Sequence, residues 1–228
     1  MSAEGNIDGS ETLKPFRNKC HVIPFAVSNE MVAEGRKYYE RQTKRDDSKV
    51  HVLFIGRFVW YKGIDILLNA FSKLDQDKYE LTLVGTGPMF ADMKQLSKRL
   101  GLNNATFAGS VSEEEKIDWI KWSDFLVLPS VSKAEAFAIV QIEAMAFGKP
   151  VINTWLPSGV PDVSRNAKTG ITVDAGDGNA LKNAIRKLGE NIDLRVSYGK
   201  RAIECVEENY SMNVLVDRYS TFFEKMVN

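Results

Sequence analysis

A chain of 228 residues with 44% hydrophobic and 26% charged content is long enough to bury a substantial core, and its composition argues against disorder. Lys plus Arg balances Asp plus Glu at 30 each. No global field therefore draws the chain to nucleic acid or to an anionic membrane, and any phosphate binding has to come from local placement.

Cys20 and Cys205 lie far apart without CxxC spacing, which fits two free thiols in a reducing, cytoplasmic compartment. No run reaches the ~20 apolar residues that a spanning helix requires, and the polar start is not that of a signal peptide. Peripheral association with the inner face of a membrane stays open.

In chain order, residues 1 to about 20 are rich in Gly, Ser, Asn and Asp and read as a tail, with residues 20–25 a candidate strand. The charged stretch 34–49 reads as a linker with some helical character, because Glu40, Asp46 and Asp47 interrupt its cations. Residues 1–49 are thus expected to be an N-terminal remnant and linker.

From Val50 short β-rich runs alternate with amphipathic helices, the pattern of an α/β, Rossmann-like open parallel sheet with helices on both faces. Residues 52–55 start it. Ile64, Leu67, Leu68, Phe71 and Leu74 keep helical spacing, 81–84 is the next strand, and Met89, Met93, Leu96 and Leu100 form a second helical stripe. After a strand at 106–108, Ser112 and Glu115 have capping-box spacing before the helix of Ile117 and Ile120. Residues 125–128 read as a buried strand. A helix carrying Glu143 stops at Gly148, a strand begins at Val151, and 180–188 is helical. The α/β unit is expected over 50–208, with a last helix in 209–228 showing the stripe Leu215, Tyr219, Phe222, Phe223 and Met226.

The stretch Glu135-Ala-Phe-Ala-Ile-Val-Gln-Ile-Glu143 is the most informative about chemistry. A helix over its apolar run from Phe137 would set the two carboxylates roughly 12 Å apart along the axis, suiting an elongated ligand. Ala136 and Ala138 sit where backbone N–H groups at the helix start can approach a phosphate. Ile139, Val140, Ile142 and Met145 imply a largely buried helix, in which an unpaired Glu143 would be costly. Arg57 and Lys62 read from spacing alone as solvated cations. Gly85-Thr-Gly-Pro88 is a tight strand-to-helix turn; Phe90 replaces the third glycine of GxGxxG, which disfavours an NAD-dependent oxidoreductase. Asp75-Gln-Asp77 precedes its strand and reads as a solvated turn, while His21 and His51 lack partners for a metal site. Trp60, Trp119, Trp122 and Trp155 read as core residues, Trp60 and Trp155 with a second reading at the border of a cleft.

The order and spacing of Val22-Ile-Pro24, Gly56-Arg57 with Lys62-Gly63, Gly85-Thr-Gly-Pro88, Leu128-Pro-Ser130, the glutamate-x7-glutamate pair and Glu143-Ala-Met-Ala-Phe-Gly-Lys-Pro150 resemble the C-terminal, nucleotide-binding half of family 4 retaining glycosyltransferases with the GT-B fold. The likeness runs from about His21 to Phe223. Ala138 stands where glycine is common, and Ser158-Gly-Val-Pro161 replaces the family's Gly-Gly-x-x-Glu, a departure that bears on sugar recognition.

The resemblance implies that Arg57 and Lys62 bracket a diphosphate and that Glu135 contacts a hydroxyl of the transferred sugar. It also implies that backbone near Phe137, Ala138 and Ile139 faces the distal phosphate and that Glu143 holds the ribose. Gly56, Gly85 and Gly87 would line the nucleotide site, with backbone at Val111 meeting the base. A metal-free nucleotide-sugar donor is implied as substrate, with no separate cofactor; residues 153–161 and 169–173 resemble bacterial polysaccharide mannosyltransferases and favour GDP-mannose over UDP-sugars. The acceptor, a saccharide or lipid-linked molecule, would belong to a second half, so that a truncated or naturally split protein is expected and the chain alone would transfer little. The alternatives are a non-catalytic subunit of a split transferase and a non-hydrolysing sugar-nucleotide epimerase.

Overall fold

A computed structural model describes residues 1–41 and 48–227; the part of the expected linker at 42–47 lies outside them. Two N-terminal helices, α1 (Glu4–Asp8) and α2 (Asn29–Glu40), precede the first strand, β1 (Val50–Ile55). There follow α3 (Ile64–Phe71), β2 (Tyr79–Val84), α4 (Phe90–Arg99), β3 (Ala105–Gly109), α5 (Glu113–Trp122) and β4 (Phe125–Val127). The second half runs α6 (Ile139–Ala146), β5 (Val151–Trp155), α7 (Val160–Val163), β6 (Gly170–Asp174), α8 (Gly178–Glu190), α9 (Ile192–Asn209) and α10 (Met212–Val227).

The six strands form one open sheet in the order β3-β2-β1-β4-β5-β6, and every pairing is parallel. Parallel strands need crossovers, and the crossover helices cover both faces, which is why the strands read as continuous apolar runs. Alternation within β1 shows the division. Val52 and Phe54 feed a cluster with Leu67 and Leu68 of α3, Met93 of α4 and Leu181 of α8, whereas Leu53 and Ile55 feed one with Ile120 of α5, Ile142 of α6 and Val206 of α9. The strand order reverses between β1 and β4, which marks the crevice outside their carboxyl ends as the topological switch point of the sheet.

Several expectations are corrected. Residues 20–25 form no strand, and just beyond them Val27 makes an isolated bridge to Ser211; the backbone of the run bonds instead to Met1, whose carbonyl accepts from Ile23 N and whose amine donates to the His21 carbonyl. The first residues are not a detached tail: Ala3 and Ile7 are buried, and Gly5 N donates to the Asp162 carboxylate of α7 at 2.8 Å. Part of the stretch read as a linker belongs to α2, which Ser28 caps through Met31 N and whose Gly35 lies against the Ala146 carbonyl of α6. Three tryptophans are not core residues. Trp60, Trp122 and Trp155 are 64%, 48% and 51% exposed, because each ends or follows an element at the rim of the sheet, beyond its helical cover. Asp75 and Asp77 lie in the exposed turn before β2, the Asp75 carboxylate accepting from Asp77 N. Both cysteines are free thiols, and burial pushes the Cys205 thiol up. Among the described residues no helix is long and apolar enough to cross a membrane.

Candidate functional site

The crevice is built by loops that follow four strands. After β1, Gly56 N bonds to the Val84 carbonyl at 3.0 Å, and a 3₁₀ turn, Trp60–Lys62, leads through Gly63 into α3. Gly63 has φ +63°, and a Cβ there would meet the Pro129 carbonyl at 2.2 Å. The glycine therefore lets the post-β1 loop lie directly on the post-β4 loop. Val131 N bonding to the Tyr61 carbonyl at 2.8 Å seals that contact. Across the sheet, Thr154 at the end of β5 donates to the Ser130 carbonyl at 2.6 Å.

This seam brings two of the expected residues together. Lys62 Nζ lies 2.5 Å from Glu135 Oε2, although 73 residues of chain separate them, and Ser130 Oγ donates to the same oxygen at 3.0 Å. Lys62 and Glu135 are 8% and 7% exposed. Glu135 is thus a buried, paired carboxylate and not a solvated loop charge; burying either partner alone would cost several kcal/mol, of order the penalty per ion left after relaxation. Arg57 is exposed, and among the described residues its guanidinium has no hydrogen-bond or ion-pair partner, leaving its five donors open.

The helix between the two glutamates starts later than its apolar pattern implied. Ala138 sits at φ 61°, ψ 78°, a left-handed conformation, and caps α6, which begins at Ile139. An L-residue is strained there by about 1–2 kcal/mol, and the αL residue breaks the helix that Phe137 would otherwise have extended. The ~12 Å separation, which assumes continuous helix, accordingly does not apply from Glu135. What the break achieves is to expose backbone: among the described residues the N–H groups of Phe137, Ala138, Ile139 and Val140 find no partner, and Gln141 N already bonds to the Ala138 carbonyl at 3.0 Å. The positive end of the α6 dipole lies at these donors. The Phe137 side chain turns the other way, buried against Phe25 and Tyr210, while Ile139 is 42% exposed.

A polar network that the sequence reading missed fixes this tip. Buried Gln141 donates to the Phe137 and Val160 carbonyls, each at 3.2 Å. Its own oxygen accepts from Asn153 Nδ2 at 2.9 Å, and that amide also reaches the Val160 and Ser164 carbonyls, both at 3.0 Å. The segment Ser158 to Pro161, where the sequence departs from the family pattern, is therefore stitched to α6 through its backbone.

The remaining expected residues line the same edge. Gly85 N bonds to the Gly109 carbonyl at 2.7 Å, and a Cβ on Gly85 would sit 2.1 Å from the Gly56 carbonyl. A Cβ on Gly87 would sit 2.6 Å from the Phe58 carbonyl. The two glycines thus allow the post-β2 turn to press on the post-β1 loop. Val111, half-buried, precedes the capping box in which Ser112 and Glu115 satisfy each other's backbone donors. One turn further, Lys116 Nζ pairs with Glu143 Oε1 at 3.0 Å and with Glu113 at 2.6 Å. Lys116 was missed, although it lies four residues before the buried Ile120, on the face of α5 that packs inward. Burial alone would lower its pKa, but hydrogen bonds to Glu113 and Glu143 overcome this and hold it above the usual lysine value.

An exposed cation, a buried ion pair, open backbone donors and a second acid one turn into α6 are carried by the loops and helix starts that follow the carboxyl ends of the strands. Residues 36–204 match the sequence profile of the family described as "Glycosyl transferases group 1". The chain is 28% identical over 228 residues to O-antigen chain mannosyltransferase C of Escherichia coli, covering 99% of this chain and 60% of that protein. It is 29% identical over 193 residues to D-rhamnosyltransferase WbpZ of Pseudomonas aeruginosa, covering 85% of this chain and 50% of that one. Sucrose-phosphate synthase of Thermosynechococcus elongatus superposes with a TM-score of 0.75 at 26% identity, over 91% of this chain and 52% of the other. The chain thus spans between half and about three-fifths of the length of these relatives. On this match, and on a fold shared with glycosyltransferases of the GT-B type, the chain belongs to the group 1 glycosyl transferases.

Proposed function

We propose that the chain is the donor-binding half of a retaining, family 4 hexosyltransferase that takes a nucleotide-sugar, with GDP-mannose favoured over UDP-sugars, and passes the sugar to a saccharide or lipid-linked acceptor held by a second half. The observation that carries the reading is the joining of Lys62 and Glu135 in the β1/β4 crevice, beside the open N–H groups before α6.

In this reading Arg57, Lys62 and the tip of α6 surround the diphosphate, Glu135 contacts a sugar hydroxyl and Glu143 accepts from the ribose diol. Gly56, Gly85 and Gly87 admit the nucleotide backbone, and Val111 meets the base. As the bond from the anomeric carbon to the phosphate oxygen breaks, negative charge grows on the departing diphosphate. The cations and helix tip neutralise it, the acceptor hydroxyl oxygen bonds to the anomeric carbon on the same face, and the freed phosphate oxygen takes the proton of that hydroxyl. Neither glutamate then acts as a general base, and no metal is needed. The mannosyl- and rhamnosyltransferase relatives support a hexose and a polysaccharide-building role; a cytoplasmic site of action is part of the same proposal.

Calorimetric titration with UDP, GDP, UDP-glucose, GDP-mannose and NADH, each with excess EDTA, tests the reading. The expected result is binding of a nucleoside diphosphate or its sugar that EDTA does not weaken. Binding of NADH alone, or of a nucleotide only with a divalent metal, would overturn it.

A further inference from the structure

We propose that Lys116 is a positioning residue for the nucleotide: it clamps the Glu143 carboxylate by one oxygen so that the other is presented to the ribose, and thereby sets the preference for ribonucleotides over deoxyribonucleotides. The inference rests on the reading of Glu143 as the ribose acceptor. Its basis is geometric. Lys116 Nζ engages Glu143 Oε1 at 3.0 Å, and both side chains are 14% exposed. Among the described residues Glu143 Oε2 has no partner.

The clamp is itself fixed at both ends. On one side α5 is held by the Ser112–Glu115 capping box, and Ile120, one turn along the same face, is fully buried. On the other side Glu143 projects from α6, whose start is stitched to β5 through Gln141 and Asn153. A second donor of the ammonium is taken by Glu113, at 2.6 Å, so the lysine cannot swing away without breaking two charge-assisted bonds. A carboxylate free to rotate would lose orientational entropy on meeting a vicinal diol; one already locked meets it in a single pose. The Lys116 ammonium is engaged by Glu113 and Glu143, so in this proposal its effect reaches the nucleotide through the carboxylate.

The test is the ratio of dissociation constants for dGDP against GDP, and for dUDP against UDP, with inorganic pyrophosphate as a probe of the phosphate site. Parent, Lys116→Met, Lys116→Arg and Glu143→Gln are compared. In the parent the deoxy form binds about 10-fold more weakly, the size expected for losing one charge-assisted hydrogen bond. In Lys116→Met the ratio falls to within about 2-fold of unity, while pyrophosphate and the deoxynucleotide keep their parent affinities; Lys116→Arg restores most of the preference. Unchanged discrimination in Lys116→Met overturns the clamp, as does an equal loss for ribo, deoxy and pyrophosphate probes. A parent that does not discriminate, or a Glu143→Gln variant with the parent's ratio, overturns the ribose reading instead. Should Lys116→Met fail to fold, a Lys116→Arg variant that folds but loses discrimination would sink the clamp, since the charge and both pairings are conserved in it.

Discussion

Replacing Lys62 with Met removes the ammonium 2.5 Å from Glu135 Oε2 and leaves a carboxylate that is 7% exposed with, among the described residues, only the Ser130 hydroxyl as a partner. Breaking a buried pair from one side costs about 3–5 kcal/mol, because the survivor keeps its desolvation penalty. For a chain of this size each kcal/mol moves the midpoint by roughly 2–4 °C, so the melting temperature should fall by about 6–20 °C. Glu135→Gln in the same background neutralises the stranded charge, and the Ser130 hydroxyl can bond to its carboxamide oxygen. The double variant should therefore recover at least ~2 kcal/mol relative to additivity, the coupling seen for residues in direct contact. Urea unfolding of parent, both single variants and the double variant at neutral pH gives the cycle. A Lys62→Met loss under about 1 kcal/mol, or an additive double variant, would refute the argument that the pair is a desolvated unit.

Two further predictions follow from local geometry. Ala138→Gly relieves αL strain of about 1–2 kcal/mol but adds about 0.4–1 kcal/mol of unfolded-state entropy, so it should be neutral to slightly stabilising, while Ala138→Val should destabilise by roughly 1–3 kcal/mol; equal melting temperatures for the parent and the valine variant would contradict the left-handed cap. The raised pKa of Lys116 means that its contribution to stability is fully present below the unfolded-state value and is lost as pH rises through the folded one. The difference in urea midpoint between parent and Lys116→Met should hence be flat from about pH 6 to 9 and shrink only above 10.5; a difference that disappears between pH 7 and 9, roughly, would refute the assignment.

Much of the sheet was legible because parallel strands buried on both faces leave continuous apolar runs, as in Val52 to Ile55, and because Ser112 with Glu115 marks a helix start in local chemistry. Less legible were features whose cause is tertiary. Nothing near Glu135 in sequence announces Lys62, since their pairing depends on Gly63 allowing two loops to touch. The late start of α6 is a backbone event at Ala138, hidden within an apolar run that favours helix from Phe137 onward. The run at 20–25 has strand-like residues, but its backbone partner is Met1 and not a strand of the sheet. Gln141 and Asn153 look like unremarkable polar residues until their amides are seen to satisfy the Val160 and Ser164 carbonyls. Lys116 carried a usable signal, a cation on the inward face of an amphipathic helix, which points to a buried acidic partner.

In the proposed function one crevice grips the diphosphate with Arg57 and the ribose with Glu143. Calorimetric titration of GDP and UDP into Arg57→Ala and Glu143→Ala, beside the parent, tests it most directly. Each variant should weaken binding of the preferred nucleotide about 10- to 100-fold, the equivalent of the 1.5–3 kcal/mol that a hydrogen bond to a charged group contributes. Parent-like affinity in both variants would contradict the account.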